Sequence, residues 1–195
     1  MDSIIARRSI RKYKPQPVDK KIINEIISAG LLAPSAKNRQ PWKFIVYSEG
    51  TKDELLAEME KGLTKTKKEL SHLPDSEHMF SDAFNTLRIM REAPVIIMVL
   101  NTNGGSPFAP TDTFARITEI CDSLSIGAAV ENMLLKATEL GIGTLWIANT
   151  SYAYNELVSY IGTTAQLTGA VALGYADEAP FPRSRKSFDD VVEYR

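Results

Sequence analysis

The unbroken apolar run Val95-Ile96-Ile97-Met98-Val99-Leu100 constrains the fold more than any other stretch of the chain. A strand with one wet face alternates polar and apolar residues, so a continuous run of strand formers needs cover on both faces. The run belongs at the centre of a sheet, with helices packed on either side. Lys43 to Glu49, rich in Phe, Ile, Val and Tyr, reads as a second strand that joins the same sheet. Thr144 to Ala148 and Leu167 to Tyr175 read as two more.

Helical periodicity supplies the cover. Asp19 is placed to cap a helix in which Ile22, Ile23, Ile26, Ile27 and Leu31 form one apolar stripe, ending before Pro34. Leu55, Leu56, Met59, Leu63 and Leu70 recur at helical spacing across Lys52 to Leu70. Ser71 to Ser76 then breaks the pattern before a helix carrying Phe80, Phe84 and Leu87. This segment reads chiefly as packing, with a lid between residues 61 and 91 whose edge lies near Leu70 to Phe84. Ile126, Val130, Met133, Leu134, Ala137 and Leu140 mark the strongest helix, and Gly127, Ala128 and Ala129 near its start permit close approach of another backbone. Gly141 stops it, and a short helix with Leu157, Val158 and Ile161 runs to Gly162. Beyond Pro180 and Pro182, Phe188 to Tyr194 has strand-like residues but nothing after it to pack on. No repeat or linker divides the 195 residues, so residues 1–195 read as one domain.

Charge excludes several functions. With 23 basic and 24 acidic residues the net charge is -1, which gives no global attraction for nucleic acid or an anionic membrane. The run at Val95 to Leu100 falls far short of the roughly 20 residues of a membrane helix. The single Cys121 has no intrachain partner and reads as a buried small hydrophobe; with no signal-peptide pattern at the start, a cytoplasmic setting is expected. His72 and His78 lack the spacing of a helical metal pair, so no metal site is expected. Asn103-Gly104-Gly105-Ser106-Pro107 reads as a flexible loop.

Two polar clusters remain. Arg7-Arg8-Ser9-Ile10-Arg11 puts three guanidiniums and a hydroxyl within five residues, a set suited to a dianionic phosphate because Arg binds oxygens in pairs; a solvated basic helix end is the plainer reading. In Ala33-Pro34-Ser35-Ala36-Lys37-Asn38-Arg39-Gln40-Pro41-Trp42 the prolines hold the preceding residues extended. Ser35, Asn38 and Gln40 there offer donors and acceptors together, as the edge of a heterocycle requires, while Trp42 anchors the loop in the core. Arg183 and Arg185 lie on a tail whose course two prolines fix.

These clusters resemble the FMN-dependent nitroreductase family. They occur in that family's order with Gly127-Ala128-Ala129, Asn132-Met133-Leu134-Leu135 and Gly141-Ile142-Gly143-Thr144-Leu145-Trp146-Ile147, and the resemblance runs from about Ser3 to about Val192. It implies an α+β fold, with a mixed, mainly antiparallel sheet flanked by helices. The partner is a second copy, a homodimer that exchanges its C-terminal segment, residues 180–195. In this resemblance Arg7 and Ser9 hold the FMN phosphate with Arg8 beside them, and Arg183 and Arg185 form a second clamp. Arg11 sits near the pyrimidine edge, where a fixed cation stabilises the charge that reduction places on the ring. Pro34, Ser35, Ala36, Asn38 and Gln40 contact largely the flavin bound with the partner chain, and Leu145, Trp146 and Ile147 pack against the ring.

The implied activity is that of an NAD(P)H-dependent oxidoreductase acting by a ping-pong route on a nitroaromatic, quinone or related electrophile. The alternative is a flavin carrier or sensor without turnover. Members that remove iodine from tyrosines, or fragment flavin itself, rely on lid residues that this chain does not match.

Overall fold

The computed structural model describes residues 2–195. Its sheet has four strands in the order β1 (Trp42–Ser48), β2 (Val95–Asn101), β4 (Gln166–Gly174), β3 (Gly143–Ile147), and every neighbouring pair is antiparallel. The only parallel pairing among the described residues is an isolated bridge between Ser9 and Thr144. β2 and β4 are the central strands. Along β2, Ile96, Met98 and Leu100 enter one core while Val95, Ile97 and Val99 enter a second core on the opposite face. Every residue of β2 is buried, as its unbroken apolar run requires.

The first core is closed by α3 (Glu49–Glu69), α4 (Ser76–Glu92) and α6 (Tyr154–Ile161), with Leu55, Met59, Leu87 and Leu157 turned inward. The second is closed by α2 (Lys20–Leu31) and α5 (Thr113–Glu139). Asp19 caps α2, its carboxylate accepting the Lys21 N–H at 2.7 Å. The α2 stripe is narrower than its sequence spacing implies: Ile23 and Ile26 are buried, but Leu31 is half in water.

Two further expectations change. α5 begins at Thr113, well before the stripe at Ile126, because its first turns carry Phe114, Ile117, Ile120 and Leu124 on an outward face that no core signal marks. Cys121, on this half of the helix, is partly exposed rather than buried. Phe188 to Tyr194 pairs with no strand of its own protomer, and the N–H groups of Val191 and Val192 turn back onto the Phe188 carbonyl at 3.1 and 3.0 Å.

α3 and α4 are joined through residues 70–75, where Asp75 adopts a left-handed conformation. Lys52 is buried and donates to the Arg91 and Ala93 carbonyls at 3.0 and 2.9 Å, satisfying the end of α4. Burial lowers the pKa of this lysine. No helix among the described residues is long and apolar enough to cross a membrane.

Candidate functional site

The two arginine clusters lie far apart in sequence, and the backbone brings them together. After the short helix α1 (Ser3–Ala6), Ser9 bridges to Thr144 on β3 and the Ile10 N–H donates to the Thr144 carbonyl at 2.9 Å. Gly143 permits this approach, since a Cβ there would lie 2.8 Å from Ile10 Cγ1. Residues 12–14 then run antiparallel to the extension of β4: the Lys14 N–H donates to the Tyr175 carbonyl and the Asp177 N–H to the Lys12 carbonyl, both at 2.9 Å. The tail is carried back over the start of the chain.

The product is a cleft of about 390 Å³ lined by Arg7, Arg8, Ser9, Arg11, Arg183 and Arg185, with Ile4, Ile5, Pro180, Phe181 and Pro182 as its apolar rim. Five permanently charged guanidiniums on one concavity, in a chain of net charge -1, form a local anion site. Arg8 spends its Nη1 on the Ile5 and Arg7 carbonyls at 2.7 Å, capping α1. Arg7 meets the half-exposed Glu131 carboxylate at 3.3 Å. Such a surface pair contributes about 0 to 1 kcal/mol and yields readily to a phosphate. Arg11 Nη1 donates to the Ser9 carbonyl at 3.2 Å, and Arg185 Nη1 donates to the Arg183 and Ser184 carbonyls at the same distance.

On β3 the pleat separates the three expected ring contacts. Leu145 and Ile147 send their side chains into the first core, so the strand leaves only their backbone for a ligand. Trp146 points the other way and is 47% exposed, above Gly127 of α5. Of these three side chains only that of Trp146 is open to a ring.

Pro34, Ser35, Ala36, Asn38 and Gln40 do not line the arginine cleft of their own chain. They form a separate turn in which Pro34, Asn38 and Gln40 are exposed. Lys37, Asn38 and Gln40 all have positive φ (55°, 52° and 48°), a conformation that costs non-glycine residues about 1 kcal/mol each. Within the turn, Ser35 Oγ accepts the Gln40 N–H at 3.0 Å, and Gln40 Nε2 donates to Asn38 Oδ1 at 3.2 Å.

Several participants escape the sequence motifs. The Arg11 N–H donates to Glu178, fastening the arginine segment to the tail, and the Tyr13 hydroxyl donates to the Ile10 carbonyl at 2.9 Å. Burial, reinforced by Glu178 and opposed by Arg11, raises the Tyr13 pKa well above the ordinary phenol value. Beside the 35–40 turn, Arg39 pairs with the buried Asp122 at 2.7 Å, and this hydrogen bond raises the guanidinium pKa. Asp122 does leave a trace in the sequence: a carboxylate four residues before Ile126, on the buried face of α5. Glu178 leaves none, because its role follows from a chain crossing.

The model of the nitroreductase family matches residues 4–175. A Streptococcus pyogenes protein assigned by name as an NAD(P)H nitroreductase is 28% identical, over 97% of this chain and 96% of its own. Among solved structures, a BluB-like flavoprotein from Clostridium difficile superposes with a TM-score of 0.83 at 26% identity, covering 100% of this chain and 97% of that one. An assigned nitroreductase of Desulfovibrio desulfuricans, solved in complex with FMN, superposes with a TM-score of 0.71 at 26% identity, covering 99% and 94%.

Proposed function

The chain belongs to the nitroreductase family of oxidoreductases, and from that premise we propose that it is an FMN-dependent enzyme taking hydride from NAD(P)H. The acceptor is a nitroaromatic, quinone or related electrophile, which enters the pocket after the nicotinamide leaves, in ping-pong order. The working unit is a homodimer in the cytoplasm, with two sites at its interface.

One observation carries this reading: guanidiniums from opposite ends of the chain meet at one cleft with the Ser9 hydroxyl. That set fits the dianionic phosphate of a mononucleotide in charge and in donor geometry. When bound, FMN would supply a ring that accepts a hydride and gives it up. The chain does the rest. Arg7, Ser9, Arg183 and Arg185 hold the phosphate, with Arg8 bracing the end of α1 beneath it. Arg11 presents its charge to the pyrimidine edge. Leu145 and Ile147 contribute backbone, and Trp146 contributes its exposed face.

The turn at Pro34 to Gln40 reaches the flavin held by a second copy, which agrees with its exposure and its separation from the arginine cleft. The same second copy would cover Leu32, Phe114, Leu124 and Phe181, which are 83%, 78%, 72% and 92% exposed in one protomer. Apolar side chains left this open mark an interaction face, and a two-fold axis lets one patch cover its own duplicate.

Reconstitution followed by mass spectrometry of the released cofactor tests the reading. FMN is the expected mass; FAD, or no retained flavin, would overturn it. Arg7→Ala and Arg185→Ala should each remove a charge-assisted contact of roughly 1.5 to 3 kcal/mol and weaken FMN binding about 10- to 100-fold in a titration.

A further inference from the structure

Three left-handed non-glycine residues within the 35–40 turn persist only if their surroundings over-determine them. Two residues of α5, one helical turn apart, supply that constraint. Ser125 Oγ accepts the Ala36 N–H at 3.2 Å, and Asp122 Oδ1 accepts from Arg39 Nε and Nη2 at 3.0 and 2.7 Å. The carboxylate is 1% exposed, and its second oxygen accepts from Asn103 Nδ2 at 3.2 Å.

Asn103 opens the connection between β2 and α5, so one buried carboxylate grips two loops at once. From there the chain of contacts continues. The Asn103 N–H donates to Asn101 Oδ1, Asn101 Nδ2 donates to Gln166 Oε1, and Gln166 Nε2 donates to Glu119. Asn101 and Gln166 are both buried. Gly104 has no room for a side chain, since a Cβ would sit 2.8 Å from Asn101 Nδ2 and the Gln166 N–H already donates to the Gly104 carbonyl. The segment that reads as a flexible loop is thus pinned at its start.

An ionised group in the face of a core helix is costly unless fully partnered, and an apolar residue there would pack at no such cost. What Asp122 adds is orientation: paired donors from Arg39 on one oxygen fix both the distance and the direction of the turn.

We propose that Asp122, acting through Arg39 and assisted by Ser125, is a positioning residue that fixes the conformation in which the 35–40 turn meets the cofactor ring. The inference rests on the reading of that turn as a ring contact. It makes α5 the frame from which one protomer aims its polar edge at its partner's flavin.

Asp122→Asn and Ser125→Ala, each prepared as the full chain, separate this from mere structural support. Hydrogen exchange without flavin reads the turn itself, and the ratio of affinities for oxidised and reduced FMN reads its effect on the ring. In Asp122→Asn the amides of residues 36–40 should exchange at least about tenfold faster while those of β2 and β4 are unchanged. The affinity ratio should shift by about fivefold, within the ordinary range of coupling between sites. Arg7→Ala, acting at the phosphate, should weaken both affinities equally. Unchanged exchange and an unchanged ratio in a folded, flavin-loaded Asp122→Asn would overturn the proposal. If Asp122→Asn does not fold, the milder Ser125→Ala decides by the same two measurements. If the parent protein takes up no FMN, the cofactor reading falls on that result, and exchange at residues 36–40 still decides whether Asp122 fixes the turn.

Discussion

Tyr13 sits where the start of the chain is tied to the tail, and its buried hydroxyl donates to the Ile10 carbonyl. Burial raises its pKa above the ordinary value of 10. A proton held more tightly in the folded state stabilises it fully below pH 10, and that stability is lost as pH rises past 10 towards the folded value. Tyr13→Phe should therefore lose about 1 kcal/mol at neutral pH and show a flatter fall in denaturant stability above pH 10. Equal slopes for parent and variant would show that the phenol titrates freely. Arg11, two residues earlier, has a different proposed task. A cation that stabilises charge present only after reduction should affect potential more than binding. Arg11→Ala should lower the flavin midpoint potential by roughly 30 mV, the two-electron equivalent of about 1.4 kcal/mol, with oxidised FMN bound nearly as before. Arg11→Lys should recover part of it, since a point charge remains although the planar fork is gone. Spectroelectrochemical titration gives the answer, and an unchanged potential in Arg11→Ala would remove the role.

At the scale of elements, legibility followed how local each signal was. β2 was readable because six residues with two buried faces need no knowledge of their neighbours, and the Asp19 cap of α2 because its partner is two residues away. The opposite end of α5 was not, since the outward stripe at Phe114 to Leu124 matches no face of the protomer's own core. The strand-forming residues at Phe188 to Tyr194 find no pleated surface in their own protomer for the same reason. For the site, motif residues were legible and their partners were not. Arg7 and Arg185 stand in recognisable clusters, whereas Glu178 and Asp122 acquire their roles only when the tail crosses residues 11–14 and the turn docks on α5. The tail is the element most open to test. Truncation after Pro182 removes Arg183 and Arg185 together with the exposed Phe188 and Tyr194, so flavin and dimer should be lost together. Light scattering on the gel-filtered protein measures the dimer and the visible absorbance of the same peak measures the flavin, and a stable, flavin-loaded dimer would make the tail a surface appendage.

For the whole molecule, the sheet is a rigid partition. It places α3, α4 and α6 on one face, and α2 and α5 on the other. The chain ends meet at one edge, by β3, and form the arginine cleft there. The proposed enzyme uses that edge twice, once to hold its own FMN and once, through a second copy, to receive the 35–40 turn. A shared pocket over the ring implies that nicotinamide and electrophile compete, and no side chain is assigned as a general base, so flavin reduction should lack the steep pH dependence of one. What distinguishes the proposed enzyme from a carrier is that its bound flavin turns over. Anaerobic stopped-flow mixing of the FMN-loaded protein with NADH or NADPH tests it most directly, followed by a second mix with a quinone or nitroaromatic. The oxidised flavin absorbance should be lost in the first mix and return in the second, with no ternary complex required. A flavin that stays oxidised with both nicotinamides would contradict it and mark the protein as a carrier.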